Sequence, residues 1–383
     1  MARMRGEADP TRTLGVGLIG TGFMGKCHAL AYRNANAVLG GLPPVRLELL
    51  CDVPDEKATR MAEQFGFARA TDDWRALVRD DAVDIVCITT PNRMHHEMAL
   101  AAMAAGKHVH CEKPLALTLA QAEEMAQVAQ DAGVHTMVGY NYIHNPAFTH
   151  AKRLVEAGEI GRIVHVRGWV DEDYQADPDL PWTWRAAVAE AGLGALGDLG
   201  CHLVSMVCRL AGPIDSLIAD MATVHETRPL AEGAGRQAVE NEDLASALVR
   251  FAGGATGVLA ISRSAWGRKN RLGFEIHGTK GLIVFDQERM NELMLYRNAG
   301  DKALQGFTTI LTGPEHAPFG AFVPAAGHQI GMNDLKIIEA GAFLAEIAGG
   351  PRAGPDFKEA LVFERVIHAI ADAARSDARI HLA

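Results

Sequence analysis

Lys113 combines a reactive side chain with a constrained place in the sequence, because it follows an apolar run and precedes Pro114. Proline restricts the residue before it to an extended backbone and permits a cis peptide bond. An ammonium group held in this way can polarise a reacting oxygen and lower the pKa of a hydroxyl group. The alternative interpretation is an ordinary surface lysine at the end of a strand.

Asp198 and His202 form a second candidate pair, four residues apart at the start of a helix predicted over 196–210. That spacing places both side chains on one helix face. A histidine can accept a hydroxyl proton near neutral pH, and a neighbouring carboxylate can orient the ring. The alternative is a capping aspartate beside a histidine at the edge of the core. Cysteines 201 and 208 complete no four-ligand cluster with His202, so we predict no metal.

A glycine-rich motif links the first predicted strand to the first predicted helix. Gly20 would permit the tight turn, Gly22 would let backbone approach a pyrophosphate, and Gly25 would let the helix pack on the strand. Phe23 and Met24 lie inside the motif, where the helix N-terminus offers N–H donors to phosphates. The motif predicts a dinucleotide site, and the alternative is a glycine-rich turn without a ligand.

Acidic and polar residues at the predicted strand ends extend this site. Asp52 ends the second strand, where a carboxylate can bind ribose hydroxyls and repel a 2′-phosphate. No basic residue follows it directly, so we predict NAD as the cofactor in preference to NADP. Ligands of open α/β sheets lie at the carboxyl ends of the strands. Further predicted cofactor contacts are therefore Thr90, Pro91, Asn92 and His95 after the third strand, and Glu112 and Lys113 after the fourth. For His95 the alternative is an exposed residue at a helix start.

Strand and helix patterns alternate over the first part of the chain, with apolar strand-like runs at 14–20, 45–52, 83–90, 108–112 and 135–141. Alternation at this spacing predicts parallel strands with helices on both sheet faces. We therefore predict an α/β Rossmann dinucleotide-binding domain over residues 1–145, in which 1–13 form a flexible tail.

The pattern changes after about residue 150. Strand pairs with hairpin-like turns follow one another, two helices close the chain at 331–348 and 357–374, and 299–330 is predicted as loop. Consecutive strands without helices between them predict antiparallel pairing. Residues 146–383 are therefore predicted to form an α+β domain with a large, mostly antiparallel open sheet, for substrate binding and oligomerisation.

Composition narrows the range of partners and compartments. The 383 residues carry a formal charge of −10, which argues against a nucleic-acid partner. We find no apolar run of the roughly 18–20 residues that span a bilayer, so no membrane partner is expected. The six cysteines are interpreted as reduced thiols of a cytoplasmic protein.

Three motifs, GTGFMG at 20–25, EKP at 112–114 and GDLGCH at 197–202, together resemble the Gfo/Idh/MocA oxidoreductases. They occur in the same order and at similar separations, and the resemblance covers essentially the whole chain. It implies an NAD-dependent dehydrogenase that oxidises a ring secondary hydroxyl of a sugar, anhydrosugar or cyclitol, with hydride transfer to NAD. The resemblance also implies a homodimer or homotetramer.

The same resemblance implies roles for individual residues. Lys113 would polarise the substrate oxygen, Asp198 would orient the substrate, and His202 would act as the general base. The segments GYNY at 139–142 and PWTWR at 181–185 also resemble family segments. They add Asn141, Trp184 and Arg185 as cofactor contacts and Tyr142 as a substrate contact.

Two other functions remain open at this point. One is a glycosidase in which transient oxidation by NAD allows elimination and rehydration. The other is a non-catalytic NAD-binding protein. For the PWTWR segment, the alternative is a packed aromatic loop.

Overall fold

The computed structural model describes residues 12–231, 233 and 235–382. Its helices are α1 Phe23–Leu39, α2 Asp55–Phe65, α3 Trp74–Arg79, α4 His95–Ala104, α5 Leu119–Ala132, α6 Pro146–Glu156, α7 Val188–Ala191, α8 Cys201–Ala211, α9 Met332–Ile347 and α10 Phe357–Ser376. Its strands are β1 Leu14–Ile19, β2 Val45–Cys51, β3 Arg69–Thr71, β4 Ile85–Ile88, β5 His108–Cys111, β6 Thr136–Val138, β7 Ile163–Asp171, β8 Ile214–Ala222, β9 Thr227–Pro229, β10 Arg236–Ala238, β11 Leu244–Phe251, β12 Thr256–Ser262, β13 Arg271–Gly278, β14 Gly281–Asp286, β15 Glu292–Arg297, β16 Thr308–Leu311 and β17 Ile380–His381.

The chain divides into two compact units. Within the described residues, the first unit comprises 12–115, 120–144 and 330–360, and the second comprises 116–119, 145–329 and 361–382. The single domain boundary that we predict after residue 145 stays a prediction.

A six-stranded sheet in the order β3-β2-β1-β4-β5-β6 forms the centre of the first unit. Every strand pair in it is parallel. All residues of β1, β4, β5 and β6 are buried, which explains their continuous apolar runs. The predicted parallel α/β sheet is confirmed. Sequence reasoning missed β3, because three residues of the type Arg-Ala-Thr carry no strand pattern.

Helix α9 also belongs to the first unit, where it packs on α1. A Cβ atom on Gly341 would lie 2.2 Å from Cδ1 of Leu39, so glycine allows the two helices to approach closely. The sequence predicts this helix, but its pattern carries no signal for the element it contacts. The close approach brings two charged residues of α9, Lys336 and Glu339, into the interior of the unit.

The second unit is built on a nine-stranded sheet in the order β16-β15-β14-β13-β7-β12-β11-β8-β17. It is antiparallel except for the parallel pair of β7 and β12, so the predicted mostly antiparallel sheet is confirmed. The prediction of loop throughout 299–330 is wrong, because β16 lies there. Its four residues are mostly exposed at the sheet edge, which leaves no apolar alternation to detect.

One face of this sheet is buried and the other is exposed. In β11, Ala245, Ala247 and Val249 face the core, whereas Leu248 is 52% exposed. The segment Val188–Ala211 is apolar and long enough to span a bilayer, contrary to our expectation, but 89% of its most apolar window is buried. This segment therefore has the burial of a core helix.

Candidate functional site

The glycine-rich turn has the geometry that a dinucleotide requires. Gly20 adopts a φ of +96°, a left-handed conformation that favours glycine. A Cβ atom on Gly25 would lie 2.2 Å from the oxygen of Gly20, so a side chain there would prevent the helix from packing on the strand. A Cβ atom on Gly22 would meet no described atom within 4 Å, so this position opens into free space. The turn fits a pyrophosphate at the N-terminus of α1.

Thr89 supports this turn and was missed by sequence reasoning. Its hydroxyl donates to the carbonyl oxygens of Ile19, at 3.0 Å, and Gly20, at 2.9 Å. The residue comes directly after β4, and threonine in a buried strand end carries no signal that separates this role from ordinary packing.

Asp52 lies at the end of β2 and is connected to the glycine-rich turn. Its Oδ2 accepts a hydrogen bond from the backbone N–H of Thr21 at 2.9 Å and pairs with Nζ of Lys57 at 2.8 Å. Burial acts to raise the pKa of Asp52, but Lys57, Thr21 and the N–H of Val53 outweigh it and lower that pKa. Lys57 lies on α2, five residues after Asp52, and so is not a basic residue directly after the strand end.

The exits of β4 and β5 are joined through His95. Its Nδ1 lies 2.9 Å from the carbonyl oxygen of Pro114 and its Nε2 lies 3.0 Å from that of Thr90. His95 is 1% exposed, and burial lowers its pKa. The interpretation of His95 as an exposed residue at a helix start is therefore wrong. Pro91 and Asn92 are half-buried beside it, and the cofactor contacts proposed for these residues stay predictions.

Glu112 turns into the first unit rather than toward solvent. Its Oε1 accepts hydrogen bonds from Nε2 of His28 at 2.7 Å and from Nζ of Lys336 at 2.6 Å. Lys336 also donates to Oε1 of Glu339 at 2.7 Å, and all four side chains are buried. We call these four residues the Glu112 network. The cofactor contact predicted for Glu112 stays a prediction. The hydrogen bonds in the structure connect its carboxylate to His28 and Lys336.

The charges in the Glu112 network stabilise one another. Burial raises the pKa of both carboxyl groups, but Lys336 and neighbouring imidazoles outweigh it, leaving Glu112 well below its ordinary value and Glu339 at about 2. Burial and the ammonium of Lys336 lower the pKa of His28 to about 4. His28 is therefore neutral at pH 7 and donates from Nε2. Its buried Nδ1 has no hydrogen-bond partner among the described residues.

A further chain of hydrogen bonds extends from Glu339. His110 lies 3.0 Å from Glu339 through Nε2 and 2.9 Å from the hydroxyl of Tyr32 through Nδ1. Cys87 adjoins Tyr32, and the possible ligand atoms of His28, Cys87 and His110 lie within 4.8 Å of one another. Both nitrogens of His110 already have partners, and Lys336 would repel a cation there. We therefore assign this group to the hydrogen-bond network.

The turn after β6 carries the two residues drawn from the GYNY segment. Asn141 is 2% exposed, and its amide nitrogen has no hydrogen-bond partner among the described residues. An unsatisfied buried donor fits a ligand contact. Tyr142 is half-buried in the same turn. A Cβ atom on Gly139 would lie 2.6 Å from Oε1 of Glu112, so the turn packs directly on that carboxylate.

In the second unit, Asp198 lies in a π-helical turn, Leu196–Gly200, and His202 lies in α8, which continues it. The residue pattern predicts an ordinary helix start here. Single π-helical turns are frequent at functional sites. The turn is positioned by Glu242, whose side chain accepts from the N–H of Leu196 at 2.9 Å. A Cβ atom on Gly194 would lie 2.1 Å from the backbone oxygen of Glu242.

Tyr174 and Arg185 contact Asp198 within its own unit. The hydroxyl of Tyr174 donates to Oδ2 of Asp198 at 2.6 Å, and Nε of Arg185 lies 3.8 Å from the same oxygen. Burial and the charge of Asp198 raise the pKa of Tyr174 well above its ordinary value, so the hydroxyl remains a donor. The guanidinium of Arg185 lies over the ring of Trp184, 4.6 Å from its centroid. Sequence reasoning missed Tyr174, which lies just after β7.

Arg185 is itself supported by a second buried network. The amide of Asn241 donates to the carbonyl oxygen of Arg185 at 3.0 Å. Arg263 donates to Asp243 at 2.7 Å and to Asn241 at 2.9 Å. We call Asn241, Glu242, Asp243 and Arg263 the Asp243 network. It connects the segments that carry Arg185 and Asp198.

These features define a class of protein. The strand order β3-β2-β1-β4-β5-β6, with a glycine-rich turn leading into α1, belongs to a dinucleotide-binding Rossmann unit. Residues 14–140 match the family model described as "Oxidoreductase family, NAD-binding Rossmann fold". The protein is therefore an NAD-binding oxidoreductase.

Residues 148–284 match the "GFO/IDH/MocA C-terminal domain". The chain belongs to the Gfo/Idh/MocA family, and the resemblance seen in the sequence is confirmed. It is 39% identical to levoglucosan dehydrogenase of Pseudarthrobacter phenanthrenivorans, covering 96% of this chain and 97% of that protein. It is 30% identical to myo-inositol 2-dehydrogenase of Thermotoga maritima, over 75% of this chain and 79% of that protein.

A solved structure supports the same assignment. Levoglucosan dehydrogenase in complex with NADH and levoglucosan matches with a TM-score of 0.93 and 38% identity, covering 97% of this chain and 99% of that chain. The predicted combination of a Rossmann domain with an α+β domain is thereby confirmed, as is the NAD-type cofactor.

Proposed function

We propose that this protein is an NAD-dependent dehydrogenase that oxidises a ring secondary hydroxyl of a sugar, anhydrosugar or cyclitol. The observation that carries the proposal is the turn of Asp198, whose carboxylate is half-buried and bonded to Tyr174 one helical turn before His202. A carboxylate held in this way can accept hydrogen bonds from a substrate that is rich in hydroxyl groups. The near full-length similarity to levoglucosan dehydrogenase supports 1,6-anhydrosugars as the first class to test.

Each residue has one role in this proposal. Lys113 donates to the substrate oxygen and stabilises the negative charge that develops on it. Asp198 accepts a hydrogen bond from the substrate and orients it. His202 takes the hydroxyl proton as the carbon–hydrogen bond breaks and the carbonyl forms. Bound NAD supplies the acceptor for the hydride, so one alcohol yields one carbonyl, one NADH and one proton.

The test is NADH formation with levoglucosan, D-glucose and myo-inositol. We expect turnover with at least one of them, and Lys113→Ala or His202→Ala should lower kcat by about 10²–10⁴-fold. Fluorescence titration should show that both variants still bind NADH. A Lys113→Ala variant with full activity across the panel would contradict the proposal. Release of an aglycone without net NADH would indicate a glycosidase, and NADH binding without any turnover would indicate a non-catalytic protein.

We also propose that NAD is preferred over NADP, because Asp52 occupies the position that repels a 2′-phosphate. Lys57 moderates this preference, since its ammonium neutralises Asp52. Lys57→Ala should therefore increase the ratio of kcat/KM for NAD to that for NADP. An unchanged ratio would show that Lys57 has no part in cofactor choice.

We further propose that the protein forms a homodimer or homotetramer through the exposed face of its nine-stranded sheet. Leu248 and Val258 are cross-strand neighbours there, 52% and 37% exposed. Light scattering coupled to gel filtration should give a mass that is a multiple of the 41.1 kDa chain, and Leu248→Glu should reduce this mass.

The six cysteines are present as thiols, which supports a reducing compartment such as the cytoplasm.

A further inference from the structure

The Glu112 network connects three elements of the first unit at the point where Lys113 leaves β5. His28 comes from α1, Glu112 from the end of β5, and Lys336 and Glu339 from α9. The turn after β6 contributes Gly139, which packs on the Glu112 carboxylate. Residues more than 220 positions apart therefore meet behind one short segment of backbone.

Lys336 has the central place in this network. Its Nζ donates to Glu112 at 2.6 Å and to Glu339 at 2.7 Å, and it lies 3.5 Å from Nε2 of His28. The side chain of Lys336 is 1% exposed. Without the ammonium, two buried carboxylates would face each other with no opposing cation in the network, and Glu112 would lose the interaction that draws it inward.

The segment that follows Glu112 is held on two sides. The backbone N–H of Lys113 faces Oε2 of Glu112 at 3.4 Å, and the carbonyl oxygen of Pro114 lies 2.9 Å from His95. A displacement of Glu112 would therefore move the backbone that carries the ammonium of Lys113. Catalytic groups need their supporting residues to be locked in place, because small displacements of a reacting group lower rates strongly.

We propose that Lys336 is a positioning residue for Lys113, acting by holding Glu112 inside the first unit. The proposal rests on the catalytic role proposed above for Lys113. Lys336 itself contacts neither substrate nor cofactor in this scheme. Its removal should lower the rate of the chemical step and leave cofactor binding intact.

The first measurement separates kcat from cofactor affinity in Lys336→Met, using NAD and levoglucosan. We expect kcat to fall about ten- to hundredfold, as for a displacement on the order of 1 Å, with little change in the Kd for NADH. The matched control is Lys107→Met. Lys107 is another buried lysine of this unit, but its Nζ donates to the carbonyl oxygens of Asp80 and Val83, at the opposite end of β5. This control should lose stability and keep its kcat.

The second measurement needs no turnover. Competitive labelling with acetic anhydride reports the reactivity of each lysine amine, and mass spectrometry gives the ratio of Lys113 to the exposed Lys269. We expect Lys336→Met to change this ratio severalfold and Lys107→Met to leave it unchanged.

The outcomes separate this proposal from the proposed function. A folded Lys336→Met variant with wild-type kcat and labelling ratio would overturn it, as would a parallel loss of kcat and NADH binding. If Lys336→Met does not fold, the same labelling ratio is measured in Glu112→Gln. A wild-type ratio of Lys113 to Lys269 in that variant would overturn the proposal. A wild-type enzyme that turns over no polyol would refute the proposed function, while the labelling ratios would still test Lys336.

Discussion

Each of the two units contains a buried network beside its own proposed catalytic residues. Each network has two carboxylates and one cation: Glu112, Glu339 and Lys336 in the first unit, and Glu242, Asp243 and Arg263 in the second. They differ in what faces the carboxylates besides the cation. In the first unit these partners are the imidazoles of His28 and His110; in the second they are the backbone N–H groups of Leu196 and Val224.

This difference has a consequence for pH dependence. An imidazole gains a proton in the acid range, whereas a backbone amide does not titrate. The pKa of His28 is about 4 in the folded chain, below its ordinary value of 6.5. The unfolded chain therefore binds a proton near pH 5 that the folded chain does not, and stability falls as pH drops from 6.5 toward 4. The Glu112 network therefore contains an imidazole whose protonation in this range lowers stability, whereas the Asp243 network contains no imidazole.

The largest expected effect comes from breaking the ion pairs of the first network. Lys336→Met leaves two carboxylates buried without their cation, so the free energy of unfolding should fall by about 3–5 kcal/mol. Thermal and urea unfolding measure it, with Lys107→Met as the control. That control leaves carbonyl oxygens rather than a charge unpaired, and should cost about 1–2 kcal/mol. Equal losses in the two variants would show that the buried charges are not what distinguishes the network.

The second largest effect is the contribution of the His28 imidazole to the pH dependence of stability. Between pH 7 and pH 5 the shift of the pKa of His28 should remove about 2 kcal/mol of stability. His28→Gln keeps a donor to Glu112 but cannot be protonated, so this part of the acid loss should disappear. Unfolding at several pH values measures the slope. A variant with the wild-type slope would assign the acid sensitivity to other groups.

A smaller effect is expected at Asp198. Tyr174→Phe removes the 2.6 Å hydrogen bond to its carboxylate and retains the ring. We expect kcat/KM for levoglucosan to fall about tenfold, which corresponds to roughly 1.4 kcal/mol. NADH affinity should be unchanged, since Tyr174 is proposed to act only through Asp198. Full activity in this variant would mean that Arg185 and the turn itself are sufficient to hold Asp198.

The smallest effect is expected in the second network. Glu242→Gln keeps an oxygen for the N–H of Leu196 and loses only the negative charge near a helix N-terminus, which should cost about 0.5 kcal/mol. Thermal and urea unfolding measure this loss. If this variant lost as much stability as Lys336→Met, the contrast between the two networks would be wrong.

Sequence reasoning was most successful where function depends on local geometry. The glycines at 20, 22 and 25 can be interpreted without the fold, because a tight turn and a close backbone approach are requirements of a few consecutive residues. It gave no signal for the buried hydrogen bonds of Glu112, whose predicted position at a ligand edge stays a prediction. The same strand end also borders the interior, and the sequence does not state which way the side chain turns.

The supporting residues were out of reach for a similar reason. Thr89, Tyr174 and Glu242 are ordinary residue types in ordinary patterns, and their roles depend on atoms contributed by other segments. Whether Lys113, Asp198 and His202 are the catalytic residues stays a prediction, which the variants above address.

By itself, the sequence determined the parallel sheet, the nucleotide-binding turn, the family and the NAD-type cofactor. These properties follow from residue periodicity and from short motifs, which are encoded by neighbours along the chain. Only the tertiary structure decided that Lys336 meets Glu112 and that Glu242 meets the turn of Asp198. Those contacts join segments that are distant in the sequence. Whether a buried charge stabilises or destabilises the protein depends on the partner that the fold places beside it.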